Sequence, residues 1–236
     1  MKTDGVIIEV TEPTEWASPI VTVLRKDKVR ICMDPTELNK VLLREEYPMP
    51  TIEDVLGRIH GAKFFTTLDA ASGFWQIRLD EASSYICTMS TPYGRYRFKR
   101  LPFGICSAPE VFQRCMHQSL EGLAGTEVVM DDILVWGKTK EEHNKNLTQT
   151  LRRCQEVKLN LRKSCFLRTE VKYLGFLLTE KGLQVDPARK QDILVIRPPQ
   201  GAKELRTFLG MMTFVSRFIP SFSKKSSTLT LSTLVY

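Results

Sequence analysis

Three aspartates in this chain have the residue type and the surroundings of a metal site. Asp131 and Asp132 are adjacent and lie between two apolar runs, residues 127–130 and 133–136. Such flanks predict a hairpin with the aspartates at its turn, where short polar residues tolerate unusual backbone angles. Asp pairs are common in ordinary hairpin turns, so this segment alone supports no functional conclusion.

A third carboxylate, Asp69, changes that interpretation. It ends another predicted strand, residues 64–68, and lies 62 residues before Asp131. If the two strands are neighbours, three carboxylates converge, and they stay ionised together only when a divalent cation balances them. Oxygen-only ligation suits Mg²⁺, which proteins hold through one or two carboxylates and substrate phosphates. The aspartates therefore predict a magnesium site that takes a phosphate-bearing substrate.

Size and composition exclude several other classes of protein. A chain of 236 residues has room for one large domain or for two to three small ones. No apolar run approaches the roughly 18 residues that cross a membrane, and no signal-peptide core is present, so we expect an intracellular protein without a membrane partner. The six cysteines form no CxxC pair and are predicted to be free thiols. HExxH and GxSxG are absent, which leaves a hydrolase mechanism unsupported.

The net charge of +7 is unevenly distributed. Residues 193–236 contain six Lys and Arg residues against a single Glu. A solvated basic face and a surface for a phosphate backbone explain this excess equally well.

Periodicity and turn residues predict an α+β arrangement. Ser107 and Pro109 mark a helix start directly before the aspartate hairpin. The other elements are predicted from apolar periodicity: strands at 20–24, 29–33, 74–79, 87–91, 96–101 and 172–178, and helices at 51–59, 141–157 and 202–219. Helices packed on one side of an antiparallel sheet account for this order.

Eight short motifs then occur in one order along the chain. They are WASPIV at 16–21, RICMDP at 30–35 with LN at 38–39, LDAASGF at 68–74, RF at 97–98 with LPFG at 101–104, AP at 108–109, MDD at 130–132, YLGF at 173–176, and LG at 209–210 with RFIP at 217–220. In this order and spacing the chain resembles the reverse transcriptase domain of gypsy-type (metaviral) LTR retrotransposon Pol polyproteins. The resemblance extends from about Asp4 to Phe222.

The resemblance implies a right-hand polymerase with a ferredoxin-like antiparallel palm sheet. Residues 1–45 and 77–106 would form the fingers, residues 46–76 and 107–180 the palm, and residues 181–236 a partial thumb. The implied activity is RNA-directed DNA polymerisation, in which dNTPs are added to a primer 3′-hydroxyl on an RNA or DNA template. Two Mg²⁺ ions, with Mn²⁺ as a substitute, would serve this reaction.

The same resemblance assigns roles to individual residues. Asp69 and Asp131 would bridge the two metal ions, with Asp132 supporting the first. Arg30 would hold the incoming triphosphate, and Arg25 or Lys26 would assist it. The other nucleotide-binding residues that the resemblance implies are Ala70, Phe74, Phe103 and Met130.

Two of the implied roles have plain structural alternatives. Phe74 would fill the space of a ribose 2′-hydroxyl and so reject ribonucleotides, although a phenylalanine is usually a core residue. Lys163 matches a family lysine and would protonate the leaving pyrophosphate, although an exposed lysine is usually only solvated.

The C-terminal third is expected to hold the template–primer duplex. Arg206, Gly210 and Phe214 are spaced by four and share one helical face. In the family this helix tracks the minor groove, and helix–helix packing is the alternative explanation for its glycine. Leu174 and Gly175 resemble the loop that grips the primer terminus.

The motif pattern fades after Phe222, so the resemblance also implies an incomplete thumb. We expect a fragment of a polyprotein whose RNase H and integrase segments, or a second copy of this chain, are its protein partners, acting in a cytoplasmic virus-like particle or the nucleus. Two alternatives to a polymerase stay open. One is a truncated or domesticated element product that binds nucleic acid without polymerising, and the other is an unrelated α+β metal-binding domain.

Overall fold

The computed structural model describes residues 1–25 and 28–231, without the side chains of residues 25, 28–30 and 228–231. Twelve strands lie within this part of the chain: β1 (Ile7–Val10), β2 (Ile20–Arg25), β3 (Lys28–Met33), β4 (Phe64–Asp69), β5 (Thr88–Thr91), β6 (Gly94–Phe98), β7 (Thr126–Val129), β8 (Asp132–Gly137), β9 (Cys165–Arg168), β10 (Glu170–Tyr173), β11 (Phe176–Thr179) and β12 (Gly182–Val185).

Eight α-helices and three short 3₁₀ helices join these strands in the same described part. The α-helices are α1 (Leu38–Val41), α2 (Ile52–Arg58), α3 (Glu81–Ile86), α4 (Ala108–Leu120), α5 (Lys140–Arg153), α6 (Pro187–Leu194), α7 (Ala202–Phe214) and α8 (Phe222–Leu231), and the 3₁₀ helices are Gly73–Gln76, Cys154–Glu156 and Ser216–Phe218. None of the helices in the described ranges is long and apolar enough to span a bilayer.

The central sheet is antiparallel, with the strand order β7-β8-β4-β9. The side chains of each strand alternate between two buried faces of the sheet, because successive residues of a strand point in opposite directions. Ile133 and Val135 of β8 pack with Phe112 of α4 on one face. Leu134 of β8 and Phe65 of β4 pack on the opposite face. The sheet is therefore covered on both sides.

Local signals in the sequence fix the helices of this layer. α4 begins after Ser107 with a proline in its first turn, where a missing N–H costs nothing. Thr139 caps α5 by accepting the Glu142 N–H. On the opposite face Thr51 and Asp54 form a reciprocal capping box that starts α2. α2 packs there together with the three-stranded antiparallel sheet β10-β11-β12.

A second layer is built from strands that come before the central sheet in the chain and from strands inserted between β4 and β7. The sheet β1-β6-β5 and the hairpin β2-β3 share a core that includes Met33, Met89 and Phe98. Phe74 packs against this core and also against that of the central sheet. The residues directly after β4 therefore join the two layers.

The structure confirms the predicted α+β class with an antiparallel sheet. The prediction that the helices pack on one side of that sheet is wrong, because α4 covers one face and α2 the other. Three elements also differ from the prediction. The stretch predicted as a strand at 172–178 is a hairpin, β10-β11, turning at Leu174 and Gly175 with φ values of +49° and +80°. Positive φ at both turn residues is the signature of a type I′ turn. The sequence does not indicate this turn, because leucine is not one of the residues that usually occupy it. The predicted strand at 74–79 begins as the 3₁₀ helix, and the predicted helix at 202–219 ends at Phe214.

The contact between the end of β8 and α5 yields a stability prediction. A Cβ on Gly137 would lie 2.4 Å from the backbone N of His143, so Gly137→Ala is expected to lower the free energy of unfolding by about 1–3 kcal/mol. Gly57→Ala in α2 is the matched control, because a Cβ there meets nothing within 4 Å and should stabilise the helix by roughly 0.5–1 kcal/mol. Chemical denaturation measures both, and equal effects of the two variants would contradict the close packing.

Candidate active site

The register of the central sheet brings two of the predicted aspartates together. Asp69, the last residue of β4, is the direct partner of Asp132, the first residue of β8. Directly opposed residues of an antiparallel pair project from the same face. Both carboxylates line a cavity of about 770 Å³, to which Lys163 and Arg168 contribute positive charge.

Asp131 lies beside this pair in the hairpin turn, and the turn differs from the one predicted. Val129 pairs with Asp132, so the turn consists of Met130 and Asp131, and Asp132 belongs to the strand. Met130, not an aspartate, has the positive φ, +57°. Such a backbone costs a non-glycine residue about 1–3 kcal/mol and persists only where its surroundings hold it.

Gln113 supplies part of what holds the turn, and the sequence did not identify it as a site residue. The Met130 N–H donates to Gln113 Oε1 at 2.6 Å, and Gln113 Nε2 donates to the Val128 carbonyl at 2.9 Å. Gln113 is a residue of α4, and its side chain is completely buried. The signal in the sequence is a polar residue in helical register with Met116 and Leu120, both buried in the apolar face.

Two further contacts tie the aspartates to their neighbours. The Ala70 N–H donates to the Asp131 carbonyl at 2.8 Å, so the backbone that follows Asp69 is joined to the turn. The Tyr173 hydroxyl donates to the Asp132 carbonyl at 3.3 Å. Burial raises the pKa of Tyr173, which keeps this hydroxyl protonated as a donor.

The electrostatics favour a cation. Burial raises the pKa of Asp132 above its usual 3.8, and the charges of Asp131 and Asp69 raise it further, while Lys163 opposes them. Lys163 also contacts Asp69, with Nζ 3.2 Å from Oδ2, although 68% of the lysine side chain is exposed. A half-buried carboxylate held next to two others is destabilised in its ionised form, and a divalent ion relieves this.

The donor set fits Mg²⁺ if the substrate completes it. The described residues include no group of three His, Cys, Asp or Glu side chains that holds a metal ion by itself. Mg²⁺ is usually bound through one or two carboxylates, with waters and phosphate oxygens as the other ligands. Asp69, Asp131 and Asp132 are the residues that would hold it.

Of the residues predicted around the incoming nucleotide, Phe74 packs against both layers and contacts Phe103. Ala70 and Met130 pack in the core of the central layer. The rings of Phe74 and Phe103 have centroids 5.1 Å apart, and Phe74 contacts Phe112 of α4 edge-on at 5.5 Å. Phe103 is 37% exposed, so this aromatic cluster has an open side. Arg30 pairs with Val23 in β3, and Lys26 lies outside the described residues.

The residues predicted to bind the duplex divide into two groups. Phe214 stacks on Phe176 with centroids 4.5 Å apart and planes 7° apart, and a Cβ on Gly175 would lie 3.0 Å from the Phe214 ring. Leu174 packs against the same core. Arg206 and Gly210 are exposed, and a Cβ on Gly210 would meet nothing within 4 Å. Helix–helix packing therefore does not explain the glycine in the described structure.

Comparison with known proteins identifies the family. Residues 22–178 match the family model for reverse transcriptase (RNA-dependent DNA polymerase), which covers more than half of the chain. The chain belongs to this family. The predicted resemblance and the predicted polymerase fold are confirmed.

Relatives and solved structures agree with this assignment. The chain is 38% identical to the Pol polyprotein of transposon opus, 37% to that of transposon 412 and 32% to that of transposon gypsy, all from Drosophila melanogaster, over 96%, 94% and 82% of its length. It spans only 23%, 19% and 19% of those polyproteins.

Among solved structures, a foamy viral protease-reverse transcriptase in complex with double-stranded DNA superposes with a TM-score of 0.87 at 29% identity, covering 94% of this chain and 40% of that one. The foamy viral protease-reverse transcriptase in complex with an RNA/DNA hybrid gives a TM-score of 0.80 at 29% identity, covering 93% and 30%.

The raised pKa of Asp132 yields a prediction for the metal-free protein. Asp132→Asn is expected to raise the free energy of unfolding at neutral pH, because it removes a half-buried charge that Asp69 and Asp131 repel. A carboxyl group whose pKa is raised by folding starts to lower stability as the pH rises above 3.8, its value in the unfolded chain, and the loss is complete above the folded pKa. Below 3.8 the group is protonated in both states and has no such effect. The difference in the free energy of unfolding between the variant and the unsubstituted protein should therefore shrink towards acidic pH.

Denaturation in EDTA at a series of pH values measures this difference. Asp192→Asn, at an exposed position of α6, is the control for loss of a carboxylate. A variant that is less stable than the unsubstituted protein at neutral pH, or a gain that grows towards acid, would contradict the repulsion.

Proposed function

We propose that this chain is the polymerase module of a retrotransposon Pol protein and acts as an RNA-directed DNA polymerase. The observation that carries the proposal is the direct pairing of Asp69 with Asp132 beside the Met130–Asp131 turn, in a chain of the reverse transcriptase family. The reaction joins a dNTP to the 3′-hydroxyl of a primer on an RNA or DNA template and releases pyrophosphate.

In this proposal Asp69 and Asp131 hold two Mg²⁺ ions, for which Mn²⁺ substitutes, and Asp132 supports the first. When bound, the ions lower the pKa of the primer hydroxyl and neutralise charge on the triphosphate and pyrophosphate. The protein contributes position: the β4-β8 register fixes two carboxylates on one face, and the turn sets the third. Lys163, exposed and next to Asp69, is proposed to protonate the leaving pyrophosphate.

The nucleotide is proposed to bind between the aspartates and the aromatic cluster of Phe74 and Phe103. The contact of Phe74 with the buried Phe112 supports a rigid wall against a ribose 2′-hydroxyl. Met130 and Ala70 are proposed to contact the nucleotide on the side of the metal ions, and Arg30 and Lys26 are proposed to bind the triphosphate.

The template–primer duplex is the proposed macromolecular partner. Two structural neighbours, solved in complex with double-stranded DNA and with an RNA/DNA hybrid, support this choice. Leu174 and Gly175 are proposed to contact the primer terminus, with the Arg206–Gly210–Phe214 face of α7 along the minor groove. The open surface at Gly210 supports that approach, while Phe214 contributes by fixing α7 against Gly175.

The wider assignments follow from the same proposal. Residues 1–45 and 77–106 are the proposed fingers, 46–76 and 107–180 the palm, and 181–236 a partial thumb. RNase H or integrase segments of a parent polyprotein, or a second copy of the chain, are the proposed protein partners. The proposed site of action is a cytoplasmic virus-like particle or the nucleus.

Primer extension tests the activity. The purified protein, with an RNA template annealed to a DNA primer, Mg²⁺ and dNTPs, is expected to extend the primer, and Asp131→Asn to lower kcat by about 10³-fold because a metal ligand loses its charge. Asp192→Asn serves as the matched control and should extend normally.

Duplex binding, measured by fluorescence anisotropy, should be unchanged in both variants of that experiment. If the unsubstituted protein binds the duplex and never extends the primer in Mg²⁺ or Mn²⁺, the polymerase proposal is wrong for this chain. The alternative of a fragment that only binds nucleic acid would then replace it.

Phe74→Ala is expected to lower the discrimination between dNTP and rNTP by about tenfold or more, because the space for the 2′-hydroxyl opens. Phe74→Tyr keeps the ring and should preserve discrimination. Single-nucleotide incorporation, compared as kcat/KM for the two sugars, measures the ratio. Unchanged discrimination in the alanine variant would remove Phe74 from the proposed site.

A further inference from the structure

The side-chain amide of Gln113 makes contacts that a neighbouring strand would otherwise make. β7 is the edge strand of the central sheet. The amide donates to the Val128 carbonyl at 2.9 Å and accepts the Met130 N–H at 2.6 Å. A residue of a parallel strand opposite Val129 would make this same pair of bonds, one residue before and one after. One side chain of α4 thus completes the sheet edge at the point where the hairpin turns.

These bonds matter because the groups they satisfy have little access to water. Val128 is 2% exposed, Gln113 is fully buried and Met130 is half-buried. A buried backbone group without a partner costs its whole desolvation penalty. The turn has in addition the positive φ of Met130. Loss of the Gln113 amide therefore removes the hydrogen bonds that stabilise the positive φ of Met130 against an unstrained conformation of the turn.

The adjacent residue of α4 extends the effect to the other half of the proposed site. Phe112 is 1% exposed and contacts the Phe74 ring edge-on at 5.5 Å. Consecutive residues of one rigid helix thus hold the turn that bears Asp131 and the ring proposed to exclude the ribonucleotide.

We propose that Gln113 is a positioning residue for the metal site, an inference that rests on the proposed function. Its amide fixes the Met130–Asp131 turn so that the Asp131 carboxylate faces the Asp69–Asp132 pair. It touches neither metal nor substrate and acts through the backbone of Val128 and Met130.

The test compares Gln113→Met with Thr150→Val. Methionine keeps the length of the side chain and removes both hydrogen bonds. Thr150 is equally buried, and its hydroxyl donates to the Asn146 carbonyl and bonds Thr126 Oγ1 at the other end of β7. Its variant therefore also removes two hydrogen bonds, one of them to the same hairpin but far from the turn. Free Mn²⁺ measured by electron paramagnetic resonance, with protein and annealed primer–template present, gives the metal affinity, and primer extension gives kcat.

We expect Gln113→Met to weaken Mn²⁺ binding and to lower kcat, each by about 10–100-fold, with duplex affinity unchanged. Thr150→Val should alter thermal stability alone. If the two variants show the same metal affinity and kcat, Gln113 is only a structural residue and the inference is wrong. Failure of the proposed function is a separate result, because the unsubstituted protein would then show no extension.

A second measurement needs no variant, and it tests whether Gln113 holds the turn even if Gln113→Met does not fold. Hydrogen exchange of the unsubstituted protein should find the Met130 amide protected as strongly as the amides of β8. Exchange at the rate of an exposed turn amide would show that Gln113 does not hold the turn.

Discussion

The proposed chemistry depends on the antiparallel pairing of β4 with β8. In the observed register Asp69 is opposite Asp132. A slip of one residue would turn every side chain of one strand to the other face and separate the carboxylates. Burial prevents such a slip, because Phe65 and Leu68 of β4 pack on opposite faces. Thr66 projects from the same face as Leu68 and adds polar contacts there. Its hydroxyl accepts the Leu167 N–H at 3.0 Å and lies 2.9 Å from His143 Nε2.

The same site is electrostatically and conformationally unfavourable without its ligands. Asp132 is half-buried beside two like charges, and Met130 adopts a backbone that glycine prefers. The surroundings offset these costs with the Lys163 contact to Asp69 and with the Gln113 amide on the turn. A stable fold can hold such a site because both faces of the sheet are covered. The proposed metal ions would supply the positive charge that balances these carboxylates, and the triphosphate oxygens would complete the ligands of the ions.

The sequence predicted the parts of this arrangement that local patterns determine. Apolar flanks identified the hairpin, Ser107 and Pro109 gave the start of α4, and Asp69 was recognised as the end of a strand. Residue-type rules failed where a side chain far along the chain supports an unusual backbone. They assign positive φ to Gly, Asn or Asp, so Met130 was not recognised as a turn residue, and Leu174 was placed inside a strand. Gln113 was missed because its partner Met130 is 17 residues away.

In the proposed function the Asp69–Asp132 pair and Asp131 form a metal site that the nucleotide completes. Anomalous diffraction from crystals of the protein with a primer–template duplex, a dNTP and Mn²⁺ tests it most directly. We expect anomalous peaks between the carboxylates of Asp69 and Asp131 and the triphosphate. Ordered nucleotide without a peak at these carboxylates, or a peak held by other residues, would contradict it.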